Sequence, residues 1–322
     1  MKVMFDPEEP IESPTSATIG NFDGVHTGHK RILRAVRETA GSKGLSSCVI
    51  TFHPHPQKVL QNIDIPLLMP IRERLRLLEN EGIDFVACYT FTKDISKITA
   101  KDFISEILID KLKVKDLIIG PDFSFGRKRE GNAELLKTMG KIYDFETNVL
   151  GPVFIDNEVV SSTAIRNFLK SGDTRKAARF LGYSYYIDGQ VTEGEKRGRQ
   201  IGYPTANLDT DWDIIPKTGV YATRAYIDDK RLDSITNIGY RPTFGSNKLL
   251  IEAHIFDFNS DIYGKRLRLE FVERIRDEKR FESVDALVTE IKLDVEKVKE
   301  VLSNIRLDNN ANTTLHTEKN WK

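Results

Sequence analysis

The hydrophobic period of this chain changes once, close to Gly182, and that change leaves only folds made of two differently built parts. From Ala17 to about Leu181, the apolar runs SATIG, SSCVITF, DFVACYTF and DLIIG alternate with stretches of helical spacing. Short runs apolar throughout, each followed by a helix, are how a parallel sheet covered by helices reads in sequence. Ile32, Leu33 and Val36 share one helical face, Ile71, Leu75 and Leu78 a second, and Phe103, Ile104, Ile107 and Leu108 a third. Pro70 suits a first helical turn, Gly82 a helix stop, and Thr99 with Asp102 a capping box with Asp in place of Glu. The spacing predicts a doubly wound α/β unit.

Beyond Gly182 the runs GVYATRAYI, LLIEAHIFDF and KRLRLEFVERI are rich in β-branched and aromatic residues and are separated by Gly, Asn and Asp turns. These predict a compact antiparallel barrel. One helix, from about Ser283 to Ser303, brings Leu287, Ile291, Val295, Val298 and Leu302 to one side to pack on it. A chain of 322 residues suits two domains of about 150 each. The expected boundaries are 1–183 for the α/β domain, 184–306 for the barrel and its helix, and 307–322 for a polar tail expected to be disordered.

Lys+Arg and Asp+Glu both number 48, so there is no net basic excess to attract nucleic acid or an anionic membrane. The basic runs GRKREG and EKRGR are local. Cys48 and Cys88 lie in apolar strand-like runs, which predicts buried thiols and neither a disulfide nor a metal site. No apolar stretch reaches the roughly 18 residues that span a bilayer, and the acidic start MKVMFDPEEP is unlike a signal peptide. The expected address is the cytoplasm; oligomeric state stays open.

Chemistry enters with ATIGNFDGVHTGHKRIL, which puts Gly20 at a strand end, His26 and His29 in the turn, and a helix start near His29. A helix N-terminus carries unpaired N–H groups and about half a positive charge, so it can hold a phosphate whose remaining charge the two histidines neutralise. The alternative is a pair of surface histidines in a Gly-rich turn. In VSSTAIRNFLKSGD, Ser162 and Thr163 stand at a helix start with Arg166 one turn on, a set that serves either a phosphate or an ordinary N-cap. Further along, VTEGEKRGRQIGYPTANL supplies Gly194, Gly198 and Gly202 with Lys196, Arg197 and Arg199, allowing close backbone approach to phosphates without being a Walker A loop. Thr205 and Asn207, two apart on an extended segment, project two oxygen donors to one side, suited to Mg²⁺. Glu252 interrupts an apolar strand and is either on a solvated face or a placed base.

Together, G-N-F-D-G-V-H-T-G-H and the G-R-Q-I-G-Y-P-T-A-N frame make residues 16–302 resemble the bacterial bifunctional riboflavin kinase/FAD synthetase family. The resemblance implies a Rossmann-like nucleotidyltransferase domain followed by a riboflavin kinase barrel. For the first it implies nucleotide contacts from Gly20, Phe22, Asp23, His26, His29, Ser162, Thr163 and Arg166, with the two histidines and Arg166 in the chemistry. Flavin contacts are implied from His53 and Pro54 in TFHPHP and from Asp122, Phe123 and Phe125 in GPDFSFG, although His53 also reads as structural and the two phenylalanines as core.

For the second domain the resemblance implies nucleotide contacts from Gly194, Lys196, Gly202, Thr205 and Asn207, with the last two holding Mg²⁺. It makes Glu252 the acceptor of the riboflavin 5′-hydroxyl proton and places Asn237, Arg241, Glu278 and Phe281 near the flavin. ATP, riboflavin, FMN and FAD are the implied small-molecule partners. The lysine loop that aminoacyl-tRNA synthetases pair with their histidine motif is missing, which disfavours tRNA charging. A flavin-binding regulator without turnover would be expected to lose Glu252 or a metal ligand first, and both are present.

Overall fold

A computed structural model describes residues 1–61, 64–194, 197–228, 230–243 and 246–308, without the side chains of 197, 241–243, 246–248 and 305–308. The chain packs as two compact units, Met1–Ala164 and Ile165–Lys322.

In chain order the first unit runs β1 (Lys2–Phe5), β2 (Thr15–Ile19), α1 (Thr27–Lys43), β3 (Ser46–His53), α2 (Pro56–Gln61), α3 (Ile71–Asn80) and β4 (Phe85–Thr90). It continues with α4 (Ala100–Asp102), which widens into a π-helix over Phe103–Lys111, then β5 (Val114–Ile119), α5 (Ala133–Tyr143), β6 (Glu146–Val149) and the two-residue strands β7 (Phe154–Ile155) and β8 (Glu158–Val159). The sheet order is β1-β4-β3-β2-β5-β6, all parallel. Every residue of β2 is buried. Alternation in β3 and β4 serves the two faces. Cys48, Ile50 and Ala87 join the π-helix and α5 through Phe103, Ile104, Leu108 and Leu136. Val49, Val86 and Cys88 join α1 and α3 through Leu33, Leu75 and Leu78. The unit is doubly wound, as its period predicts.

Local differences from the sequence reading have physical causes. His26 caps α1, which therefore starts at Thr27 and not near His29. Pro70 takes the N-cap position of α3, one residue before the first turn, while Gly82 (φ 76°) stops that helix as expected. Only half of the capping box forms: Thr99 Oγ1 accepts from Asp102 N at 3.1 Å, and the short Asp102 carboxylate takes the threonine hydroxyl proton at 2.6 Å. Next, Phe103, Ile104, Ile107 and Leu108 are all buried on a π-helix, where i→i+5 bonding such as Leu112 N to Ile107 O replaces the α pattern. Edge strands β1 and β6 are too short and too exposed to carry an alternation signal.

The helix α6 (Ser162–Ser171) crosses the division between units, and α7 (Thr174–Leu181) packs with the second: Thr174 Oγ1 reaches Val272 O and Arg175 pairs with Glu273. Barrel strands begin a few residues after the expected boundary at 183. They are β9 (Tyr186–Thr192), then after α8 (Arg197–Gln200) β10 (Ala206–Asp209), β11 (Gly219–Ile227), β12 (Lys230–Thr243), β13 (Ser246–Ile255) and β14 (Arg266–Arg276). All neighbours are antiparallel, closing in the order β10-β13-β12-β11-β14-β9. The last helix, α9 (Val284–Asp308), runs five residues beyond the expected end at Ser303. Val298 and Leu302, both fully buried, seat it on Val220, Ala222, Ile235 and Val272, each contributing roughly 1.5–3 kcal/mol. The expected tail therefore begins inside this helix, and residues 309–322 lie outside those described.

Candidate active sites

In the first unit the strand order reverses between β2 and β5, and open parallel sheets bind ligands in the crevice at the carboxyl ends of such strands. The turn after β2 takes left-handed backbone at Phe22 (φ 51°), Gly24 (φ 87°) and Val25 (φ 36°). It delivers His26, whose Nδ1 accepts from the His29 backbone N at 3.3 Å. Neutral His26 therefore keeps its proton on Nε2. Gly28 permits the cap, since a Cβ there would sit 3.1 Å from that Nδ1. The His26 and His29 rings stack at 3.6 Å with 16° between planes, and Phe22 lies 5.0 Å from His29.

His29 Nδ1 is buried with no hydrogen-bond partner. Burial holds the His29 pKa well below 6.5, and the charges of His26 and Arg74 lower it further. The unfolded chain thus takes up the proton first, so stability is complete above about pH 6.5 and falls as pH drops below that value. Between about pH 7.5 and 5.5 the melting temperature of His29→Gln should fall less steeply than that of the wild type; parallel slopes would assign the acid sensitivity elsewhere.

The other expected residues divide between the ligand side and the scaffold. Asp23 is buried, and both carboxylate oxygens accept from Leu68 N, at 2.9 and 3.1 Å. Its carbonyl accepts from Ser162 Oγ at 2.8 Å, so Asp23 braces the turn against α6. The N-cap hydroxyl of α6 is Ser161, which accepts from Ala164 N, leaving Thr163 exposed and Arg166 half-buried one turn on. His53 and Pro54, joined by a cis peptide, are exposed at the end of β3. Partial desolvation of the otherwise exposed His53 ring, then the charges of Arg74 and Lys58, lower its pKa. After β5, Asp122 is exposed and Phe123 half-buried. Phe125 takes the core position that its sequence also allowed, wedged between Phe103 at 5.5 Å and Gly131, where a Cβ would meet its ring at 2.6 Å. Arg74 was missed. In IRERLRLL it reads as a solvated helix residue, yet it is 3% exposed.

In the second unit a cavity of about 700 Å³ opens at one end of the barrel. Strand register explains its wall. Asn207 pairs with both Thr192 and Glu252, Glu252 with Asn237, Asn237 with Val220, and Val220 with Arg276. Directly opposed residues project to one face, so one transverse row carries all six into the cavity. Thr205, Gly194, Glu278 and Phe281 complete this side, while Leu287 and Ile291 of α9 line the other and do not simply pack on the barrel. Arg276 is fixed from α9 by Asp294 through contacts of 2.7 to 3.0 Å.

Thr205 also lines a second cavity, of about 350 Å³, with Arg199, Pro204, Phe258, Asp261 and Tyr263. Gly202 (φ 87°) turns the chain into this region without lining either cavity. Lys196 and the side chain of Arg241 lie outside the described residues.

The glycine positions are demanded by the site. A Cβ at Gly194 would sit 2.2 Å from Asn207 Nδ2 and 3.1 Å from its Oδ1. Gly194→Ala should therefore displace the Asn207 amide and lower turnover of a substrate held in the larger cavity by about 10²-fold, the scale of a 1 Å misplacement, with any reaction of the first unit unchanged. Equal turnover in variant and wild type would remove Asn207 from the site.

Comparison with known proteins matches these two units separately. A model described as FAD synthetase covers residues 8–164, and one described as riboflavin kinase covers residues 181–302. The bifunctional riboflavin kinase/FMN adenylyltransferase of Pseudomonas fluorescens is 39% identical over 280 residues, covering 87% of this chain and 90% of its own. The chain belongs to the bifunctional riboflavin kinase/FMN adenylyltransferase family.

The protein of that name from Haemophilus influenzae is 38% identical over 284 residues, covering 88% of this chain and 92% of its own. Among solved structures, one described as a macrolide-efflux protein from Streptococcus pneumoniae is 31% identical, with a TM-score of 0.86 over 92% of this chain and 98% of that one. No described helix is long and apolar enough to cross a membrane. As a riboflavin kinase/FMN adenylyltransferase the chain uses ATP twice, first on riboflavin in the barrel unit and then on FMN in the α/β unit.

Proposed function

We propose that Glu252 is the base of the kinase reaction and that the histidine turn is the seat of adenylyl transfer. The observation that carries the first assignment is the row Asn207, Glu252, Asn237, opposed in register on the cavity wall. A carboxylate between two amides is held in orientation and can accept the 5′-hydroxyl proton as riboflavin attacks the γ-phosphorus of ATP. Phe281, Ile251, Leu287 and Ile291 offer apolar walls for the flavin ring. The smaller cavity, reached past Thr205, suits the nucleoside end of ATP.

Thr205 and Asn207 fit Mg²⁺. Both are oxygen donors, and backbone at Gly194 and Gly198 closes around them, a Cβ at Gly198 falling 3.4 Å from Thr205 Oγ1. Mg²⁺ takes few protein ligands and completes its shell with phosphate and water. When bound, Mg²⁺ offsets charge on the phosphates.

In the α/β unit the FMN phosphate attacks the α-phosphorus of ATP and pyrophosphate leaves. His26 Nε2–H, His29 and the N-terminus of α1 face the developing charge, with Ser162, Thr163 and Arg166 supplying contacts from α6. Gly20, Phe22 and Asp23 shape the turn, and His53, Pro54, Asp122 and Phe123 flank the flavin end. A net charge of zero fits small-molecule partners in place of nucleic acid, and two free buried cysteines fit a reducing cytoplasm.

The test is to incubate the purified protein with riboflavin, ATP and Mg²⁺, with a parallel sample given FMN, and separate the flavins. FMN and FAD together are expected. FMN alone would overturn the assignment of the first unit, and FAD only from supplied FMN that of the second.

A further inference from the structure

We propose that Arg74 is a positioning residue for adenylyl transfer, its buried guanidinium tying the carboxyl ends of β2 and β3 together and holding a fixed positive charge beside the histidine pair. The inference rests on the reading of the histidine turn as the adenylyl-transfer site.

Arg74 lies on α3 and is 3% exposed. Its Nη1 donates to Asn21 O, in the turn that follows β2, and its Nη2 to Phe52 O near the end of β3, at 3.1 Å. Asn21 O also takes the Thr51 hydroxyl, and the Asn21 amide meets His55 Nε2 at 3.0 Å, so one buried cation gathers both strand ends.

Among the described residues Arg74 forms no ion pair, and its Nε has no partner. The carboxylate that acts on it is Asp23, which also receives the Leu68 N–H on both oxygens. His29 stacks on His26 at 3.6 Å and also feels the charge of Arg74 from α3, so three groups able to carry positive charge act on one another here. A buried unpaired cation is costly, and the phosphates of ATP fit that charge. In the free enzyme Arg74 helps keep His29 neutral; bound phosphate supplies the opposite charge that lets the imidazole protonate.

The test uses the full chain carrying Arg74→Gln or Arg74→Lys, with the thermal melting transition as the folding control and riboflavin phosphorylation as the check on the second unit. The pH profile of kcat/KM for ATP in FMN adenylylation and the NMR titration of the His29 ring are the readouts. Arg74→Gln should lower kcat/KM about 10²-fold at neutral pH and move the His29 inflection upward. Arg74→Lys, which keeps the charge and can still donate, should retain activity within about tenfold with the inflection in place.

An unmoved inflection in Arg74→Gln, or an Arg74→Lys enzyme indistinguishable from it, would overturn the proposal. Should Arg74→Gln lose the kinase reaction as well, Arg74→Lys decides alone: a His29 ring titrating above the wild-type position overturns it. Undiminished FAD formation by His29→Ala would instead defeat the site reading on which the inference stands.

Discussion

Glu252→Gln is expected to lower FMN formation from riboflavin by about 10²–10⁴-fold, the usual contribution of a general base, while conversion of supplied FMN to FAD continues at the wild-type rate. The substitution keeps the shape and the carbonyl oxygen but cannot take a proton at neutral pH. Glu252 is half-buried in the middle of β13, with Asn207 and Asn237 opposite, so an amide is accommodated and the barrel is not expected to unfold. The loss should fall on kcat and kcat/KM together, because proton acceptance is made only in the transition state. Initial rates from separated flavins measure it. A rise in KM at constant kcat would mean that Glu252 binds riboflavin and that the base lies elsewhere. No change at all would return Glu252 to the solvated face that its strand alone favours.

That ambiguity marks the limit of what the chain discloses. The doubly wound unit was legible because each strand of its core is apolar on both faces and each helix carries one stripe. The barrel was legible from β-branched and aromatic runs. Register was not. Nothing local to VTEGE, PTAN, LLIEAHI or NIGY says that Thr192, Asn207, Glu252 and Asn237 stand in one row, because pairing is fixed by the closure of six strands.

The site residues show the same divide. His26 and His29 were readable as a motif, but the use of the His26 ring as the cap of α1 was not, since Ser, Thr, Asp and Asn are the residues expected there. Phe125 and Asp23 sit in the motif yet face the scaffold. Arg74 shows the reverse: on an amphipathic helix among Arg72, Glu73 and Arg76 it looks solvated, and only the carbonyls of Asn21 and Phe52 account for its burial.

His29→Ala should have the opposite effect to Glu252→Gln, lowering FAD formation by about 10²–10³-fold, the cost of removing one donor to a developing charge, while FMN accumulates from riboflavin at the wild-type rate. The fold should survive the change for a specific reason. The α1 cap runs from the backbone N of position 29 to His26 Nδ1, so the alanine variant keeps the capping bond and loses only the imidazole. What goes with it is the 3.6 Å stack that holds the His26 ring flat against its neighbour, together with one of two protonatable groups at the helix N-terminus. Rates with supplied FMN, and ATP affinity measured without flavin, separate the two losses. A large fall in the rate at nearly unchanged ATP affinity would place His29 in the transition state, whereas equal falls in both would make it a ground-state phosphate contact. Retained FAD formation would remove adenylyl transfer from the β2–α1 turn. Loss of both reactions in a folded protein would show that the two units do not act independently.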